Sequence, residues 1–206
     1  MKNPYPYRFM LSGFLFLLIL GGCGSTQPSR FYTLHTIGNH DVGTQSTPAD
    51  HNISVAIGPI DIPDYLDRPQ IVSRTSQNEL TLSEFDRWAG SLKDDIVRVL
   101  SKNLTQLLSQ SSVSILPWGM YNASTYRVTV NIRRFDSMPE GNILLDAQWT
   151  IFGKGGMEIP HVRESIITEP VPAKTYDAKV SAMSGALAKL SSDIAEGIKG
   201  VLQKHK

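Results

Sequence analysis

The pattern of apolar and polar positions predicts a series of strands interrupted by two helices. Short apolar or alternating runs predict strands at 30–34, 53–57, 71–74, 79–82, 113–116, 126–135, 143–152 and 162–168. The pair at 71–74 and 79–82 is expected to form a hairpin, and Gly58-Pro59 is expected to break the chain. Short connections join the last three strands, which are therefore expected to form an antiparallel meander.

Two longer segments carry apolar residues at three- and four-residue steps, which predicts amphipathic helices. The first is expected to begin at Ser83 as N-cap, and its stripe is Phe85, Trp88, Ala89, Leu92, Ile96, Val99, Leu100, Leu104, Leu107 and Leu108. The last helix would bury Val180, Met183, Leu187, Leu190, Ile194, Ile198 and Val201. This order predicts an α+β domain with a mixed, largely antiparallel sheet and two amphipathic helices packed on one face.

The first residues have the three zones of a bacterial secretory signal. Lys2 and Arg8 supply positive charge, residues 9–20 are nearly all apolar, and Leu20-Gly21-Gly22-Cys23 follows. The apolar run is shorter than the roughly 20 residues that a membrane-spanning helix needs. We therefore expect a cleaved signal peptide at 1–22, a lipidated N-terminus and tether at 23–29, and one domain at 30–206.

Cys23 is the predicted lipidation site and the only cysteine of the chain. The residues around it resemble a lipobox, although Gly21 stands where Ala or Ser is commoner in bacterial lipoproteins. The alternative is an ordinary secreted protein with a free cysteine near its start. Gly24 follows where Asp would favour retention in the inner membrane in enterobacterial lipoproteins, so the sequence predicts a lipid anchor on the periplasmic face of the outer membrane.

Composition narrows the possible functions. Removal of Lys2 and Arg8 leaves 18 basic residues against 19 acidic ones, so the mature chain has no basic excess to suggest nucleic-acid binding. If Cys23 is acylated, no thiol remains for a disulfide, and the domain must be stable through its packed core.

The sequence offers no recognisable catalytic or metal-binding motif. None of the five histidines stands at metal-ligand spacing, and no G-x-S-x-G nucleophile motif is present. We therefore predict no catalytic residue, no metal and no cofactor. Asp86 and Arg87 lie where the first helix was expected to begin, and we expect them to pair with Arg68 or Asp67 and lock the preceding loop to that helix.

Several segments together resemble a known family. These are Phe31-Tyr32-Thr33-Leu34 after the lipobox, the run from Ile57 to Val72, Phe85-Asp86-Arg87-Trp88-Ala89, Arg134-Phe135-Asp136 and Leu145-Asp146-Ala147-Gln148-Trp149. They resemble the ABC-type transport auxiliary lipoproteins, in particular the paraquat-inducible lipoprotein C (PqiC-like) group. The resemblance covers essentially the whole mature chain.

The resemblance implies a function that composition and periodicity do not show. Such lipoproteins are held at the outer membrane by N-terminal acyl chains and work with MCE-domain proteins that form a tunnel across the periplasm. The system is thought to move lipids between membranes and to protect envelope integrity. The lipoprotein is expected to be a non-catalytic docking subunit and a homo-oligomer.

The loop between Asp61 and Pro69 is our candidate partner interface. Its residues are Asp64, Tyr65, Leu66, Asp67 and Arg68, with Arg87 beside them. Burial of Tyr65 and Leu66 in their own domain is an equally weighted alternative. Rival functions are a structural or assembly lipoprotein of another outer-membrane complex, a direct lipid carrier and an anchored enzyme. A carrier would need an apolar cavity, and an enzyme would need a cleft with strongly perturbed titratable groups.

Overall fold

The computed structural model describes residues 27–38, 53–109, 113–120, 126–153 and 160–204. Cys23, most of the predicted 36–52 loop and most of the predicted 153–156 turn lie outside these residues. The described part holds one eight-stranded sheet and two long helices. None of its helices is both long and apolar enough to span a membrane.

The elements follow the predicted order. The strands are β1 (Arg30–Tyr32), β2 (Ile53–Asp61), β3 (Gln70–Arg74), β4 (Leu80–Trp88), β5 (Val113–Pro117), β6 (Tyr126–Ser137), β7 (Ile143–Phe152) and β8 (His161–Glu169). The helices are α1 (Leu92–Leu107), between β4 and β5, and α2 (Tyr176–Lys204), after β8. A short 3₁₀ turn, Trp118–Met120, follows β5.

The sheet is mixed, as expected, and β6 lies at its centre. The order is β1-β4-β3-β6-β2-β5. On the other side of β6 lies β7, which in turn pairs with β8. The meander β6-β7-β8 and the hairpin β3-β4 are confirmed as antiparallel. The pairs β1-β4, β2-β5, β2-β6 and β3-β6 are parallel, so the expectation of a largely antiparallel sheet is only partly right. Alternation within a strand shows which face is buried but not the direction of its neighbour.

The first helix begins later than predicted. Ser91, not Ser83, is its N-cap, and the Ser91 hydroxyl accepts a hydrogen bond from the Asp94 backbone N–H. Phe85 and Trp88 belong to β4 instead. This strand bulges against β3, and its register shifts between the pairs Gln70–Arg87 and Val72–Leu82. The apolar steps from Leu92 onwards are confirmed as the buried face of α1.

Gly58-Pro59 does not end β2, contrary to prediction. The strand continues to Asp61, and its register against β6 shifts between Ile57 and Ile60. Gly58 has φ 126°, a conformation that only glycine adopts without strain. This register shift is a β-bulge, and it accommodates Gly58 and Pro59 within the strand.

The core lies between the sheet and the two helices. The alternate residues Ile143, Leu145, Ala147, Trp149 and Ile151 of β7 are all buried, and α2 packs on β7 and β8. The close approach depends on Gly197, because a Cβ there would lie 2.6 Å from the Trp149 ring. Gly200 has open space, so of these two helix glycines only Gly197 has a packing reason.

Candidate functional site

The loop of residues 62–69, which we call the 62–69 loop, connects β2 to β3 in a tight turn. The Leu66 N–H donates to the Pro63 carbonyl at 2.9 Å, and the Arg68 N–H donates to the Leu66 carbonyl at 2.9 Å. At the end of the loop, the Pro69 carbonyl accepts from the Trp88 N–H of β4 at 2.7 Å. The loop is thus hydrogen-bonded within itself and to the sheet.

Tyr65 and Leu66 point into their own domain. Leu66 is 2% exposed and belongs to the hydrophobic core, and Tyr65 is half-buried against that core. The Tyr65 hydroxyl donates a hydrogen bond to Asp136 Oδ2 at 2.8 Å. These two side chains hold the loop in place, which favours the alternative that they are buried in the domain.

Asp136 is a fully buried carboxylate beneath the 62–69 loop. It follows the core residue Phe135 and so points to the opposite face of the sheet, away from the helices. Arg74 Nη2 lies 3.3 Å from one of its oxygens, and Arg134 Nε lies 2.9 Å from the other. Three segments of chain therefore meet on one carboxylate: the loop, β3 and β6.

The burial of this cluster shifts the acidity of its members. Burial raises the pKa of Tyr65, and the hydrogen bond to Asp136 adds to this, so that the pKa reaches about 12. For Arg74, burial works to lower the pKa, but the Asp136 carboxylate outweighs it and the pKa is raised. The Tyr65 hydroxyl and the Arg74 guanidinium are therefore both protonated at neutral pH and can donate to Asp136.

The outer surface of the 62–69 loop is charged. Asp64 and Asp67 are exposed, while Arg68 and Arg87 are half-buried. The Arg87 Nε donates to the Glu84 carbonyl at 3.4 Å, within β4. The six predicted interface residues thus divide into an inner pair, Tyr65 and Leu66, and a charged set, of which Arg87 lies on β4 opposite Gln70.

A second buried carboxylate, Asp86, corrects the predicted lock. Asp86 is 4% exposed and accepts hydrogen bonds from Arg30 Nε at 2.7 Å and from the Tyr32 hydroxyl at 2.9 Å. The Ser83 hydroxyl also donates to it and accepts from its backbone N–H. Asp86 therefore binds β1 and not Arg68, because it lies opposite Arg30 in the β1–β4 pair.

The same contacts set the acidity of Asp86 and its partners. Burial works to raise the pKa of Asp86, but the hydrogen bonds from Arg30, Tyr32 and Ser83 outweigh it and the pKa is lowered. The pKa of Tyr32 is raised, first by burial and then by its bond to Asp86. The carboxylate thus stays ionised and keeps its hold on β1.

Side chains of both helices accept hydrogen bonds from the chain that follows β1. The Leu34 N–H donates to Asp95 Oδ2 at 2.6 Å, the His35 N–H to Ser184 Oγ at 3.1 Å, and the Ile37 N–H to Asn103 Oδ1 at 2.9 Å. We call residues 30–37 the N-terminal strap. Only the short strand at its start was predicted from the sequence.

Phe31 is an exposed aromatic side chain that the sequence did not single out as a site. It is 64% exposed and pairs with Arg87 across β1 and β4. It points away from the face on which Arg30 and Tyr32 bind Asp86, because side chains alternate along a strand. An exposed phenylalanine between two anchored residues could only be found from the structure.

Two surface grooves of similar volume lie in different parts of the described chain. One, of about 420 Å³, is lined by Trp88 and Leu92 together with Ser91, Asp94, Asp95 and Arg98. The other, of about 410 Å³, lies at the start of α2, where burial lowers the pKa of Lys179. Both have mixed polar and charged linings, unlike the apolar cavity that a lipid carrier needs. Among the described residues no group of acidic, histidine or cysteine side chains could hold a metal ion.

Comparisons with known proteins give a consistent result. Residues 32–195 match the family model of the ABC-type transport auxiliary lipoprotein component. The chain is 25% identical over 184 residues to the intermembrane transport lipoprotein PqiC of Escherichia coli K12, covering 88% of this chain and 93% of that protein. The match to PqiC of Shigella flexneri has the same identity and coverage.

Two crystal structures share the fold. An uncharacterised protein superimposes with a TM-score of 0.70 at 18% identity, covering 84% of this chain and 99% of that one. The protein XCC0632 from Xanthomonas campestris superimposes with a TM-score of 0.65 at 14% identity, covering 86% and 100%. The arrangement of eight strands and two helices is therefore a known one.

Proposed function

Because the chain belongs to the ABC-type transport auxiliary lipoprotein component family, we propose that it is a membrane-anchored docking subunit of an MCE-type intermembrane lipid transport system. The observation that carries this proposal is the family match over residues 32–195, together with similarity to PqiC along nearly the whole of both chains. The subunit lies on the periplasmic face of the outer membrane and contributes to envelope integrity.

The anchor is the acylated Cys23. Arg30 begins the described domain seven residues later, so the domain cannot lie further than about 25 Å from its anchor along a fully extended chain. Two or more acyl chains hold a protein firmly, at about 0.8 kcal/mol per buried methylene. Such confinement raises the effective concentration of the domain for a partner that reaches the membrane.

The docking surface is the charged outer side of the 62–69 loop. Asp64 and Asp67 are exposed there, and the half-buried Arg68 and Arg87 flank them. Tyr65 and Leu66 contribute by fixing the backbone of the loop, since Tyr65 is bound to the buried Asp136. A loop held in one conformation loses little entropy on binding, which favours its use as a contact surface.

The subunit acts without catalysis and assembles as a homo-oligomer. The contacts of Asp86 and Asp136 support a non-catalytic role, because both carboxylates are bound by arginines and tyrosines of the fold. Their contacts hold segments of chain together, which is a structural role. A closed ring would use the same heterologous contact between successive copies.

Affinity purification from detergent-extracted membranes tests this function, with the mass of the N-terminal peptide and the lipids of the eluate measured together. We expect an acylated Cys23, an MCE-domain protein in the eluate, and loss of acylation in the Cys23→Ser variant. Recovery of a different outer-membrane complex without any MCE-domain protein would identify a structural or assembly lipoprotein instead. Stoichiometric lipid bound to the isolated domain would identify a lipid carrier.

A further inference from the structure

We propose that Phe31 contacts the lipid surface of the membrane that holds Cys23, so that the domain is attached at two points. The inference rests on the acyl anchor of the proposed function. It concerns β1, the outermost strand of the sheet beside β4, and shares only Arg87 with the proposed docking surface. The surface consists of Phe31 with Arg87 beside it.

The first argument is reach. Phe31 is eight residues after Cys23, and a chain of that length spans at most about 29 Å when it is fully extended. A relaxed chain of the same length covers roughly 15 Å. Phe31 is therefore the exposed large apolar side chain closest to the anchor along the described sequence. The next one, Leu82, is 51 residues further on and is only 43% exposed.

The second argument is rigidity. Arg30 and Tyr32, on either side of Phe31, are bound to the buried Asp86, and the Tyr32 carbonyl accepts from the Ala89 N–H at 2.8 Å. The backbone on either side of Phe31 is thus held in place, and the alternation of side chains along β1 keeps its ring on the face opposite Asp86. The ring is 64% exposed there and is accessible to an apolar surface that lies next to it.

The third argument is chemistry. Aromatic rings partition to the boundary between lipid headgroups and acyl chains, and an arginine beside such a ring can bind headgroup phosphates. Arg87 pairs with Phe31 across the strands and is half-buried, with its Nε bound to the Glu84 carbonyl. Glu84 is exposed nearby, so insertion of the ring, rather than net charge, drives the contact.

Such a contact would orient the domain. An acyl anchor on a short tether restrains distance but leaves the domain free to rotate, whereas a second fixed point restrains tilt. The edge formed by β1 and β4 would face the bilayer, and β8, on the far side of the sheet, would face the periplasm. The 62–69 loop, joined to β4 through Trp88 and Pro69, would lie close to the membrane surface.

Spin labelling of the acylated protein in phospholipid vesicles tests this contact. Because acylated Cys23 has no free thiol and no other cysteine is present, a single added cysteine is labelled specifically. Phe31→Cys is compared with Ile166→Cys, since Ile166 is 68% exposed on β8. We expect collision with oxygen relative to collision with a water-soluble nickel chelate to be several-fold higher at position 31 than at position 166.

The mass of the N-terminal peptide of the same sample shows whether Cys23 is acylated. This measurement tests the proposed anchor separately from the contact of Phe31 with the membrane. An unmodified Cys23 would contradict the proposed anchor. With an acylated Cys23, equal water-like accessibility at both positions would overturn the membrane contact. A label at position 31 that is protected from both oxygen and the nickel chelate would also overturn it, because that result indicates a protein partner or a second copy.

Discussion

The two buried carboxylates, Asp86 and Asp136, have similar partners but hold different parts of the molecule. Each accepts a hydrogen bond from a tyrosine hydroxyl and pairs with arginine. Asp86 holds the N-terminal strap, whereas Asp136 holds the 62–69 loop. The strap and the loop are thus fixed by the same kinds of contact at separate places.

The two carboxylates differ in how completely they are removed from water. Arg30, the partner of Asp86, has a side chain that is 57% exposed, while Arg74 and Arg134 beside Asp136 are 17% and 27% exposed. An ion pair screened by water contributes little to stability, but loss of one member of a buried cluster leaves uncompensated charge. The loop should therefore be held more firmly than the strap.

The largest expected effect is that of Asp136→Asn. Removal of this charge leaves Arg74 and Arg134 without their counter-ion in a buried site, and we expect the free energy of unfolding to fall by about 3 kcal/mol. Asp86→Asn is the matched variant and should cost about 1 kcal/mol, because Arg30 can be hydrated instead. Urea denaturation of both variants measures the difference, and equal losses would contradict the distinction between the two clusters.

Removal of the tyrosine hydroxyls gives a finer comparison. Tyr65→Phe removes a hydrogen bond to a fully buried carboxylate and should cost about 2 kcal/mol, whereas Tyr32→Phe should cost about 1 kcal/mol. Hydrogen exchange locates the effects: faster exchange is expected in the 62–69 loop for Tyr65→Phe and in the strap for Tyr32→Phe. Faster exchange in both places for either variant would mean that the two regions are not independent.

The buried hydroxyl of Tyr65 also predicts a dependence of stability on alkaline pH. The pKa of Tyr65 is raised to about 12, above its ordinary value near 10, because burial and Asp136 favour the protonated hydroxyl. Its contribution is therefore complete below about pH 10 and is lost as the pH rises toward 12. Because the pKa of Tyr32 is also raised, titration of tyrosinate absorbance should show one fewer late-ionising tyrosine in Tyr65→Phe than in the wild type. An unchanged number of late-ionising tyrosines in that variant would contradict the assignment to Tyr65.

The comparison also shows what the sequence could and could not predict. Alternation correctly predicted the strands of the meander, and apolar spacing predicted the buried faces of both helices. The start of α1 was wrong because Phe85 and Trp88 continue its three- and four-residue spacing into the bulged β4. Asp86 and Asp136 gave no signal of burial, since a carboxylate can be buried only where distant residues such as Arg30 or Tyr65 come to meet it.

The parallel pairs of the sheet were missed for a related reason. The partners of β1 and β2 are set by long connections, such as that between Tyr32 and Trp88, and local patterns do not record them. The candidate interface was predicted as one group of six residues, but it has an inner pair and an outer charged set. Its division depends on Asp136, which lies 71 residues from Tyr65 in the sequence.

The most direct test of the account is whether the charged outer side of the 62–69 loop binds the partner. Asp64→Lys with Asp67→Lys reverses two exposed charges there, and Glu196→Lys reverses one exposed charge on the surface of α2 as a control. We predict that co-purification of the MCE-domain partner from membranes is lost for the loop variant and retained for the α2 variant, with acylation and folding unchanged. Retention of the partner at the wild-type level by the folded loop variant would contradict the account.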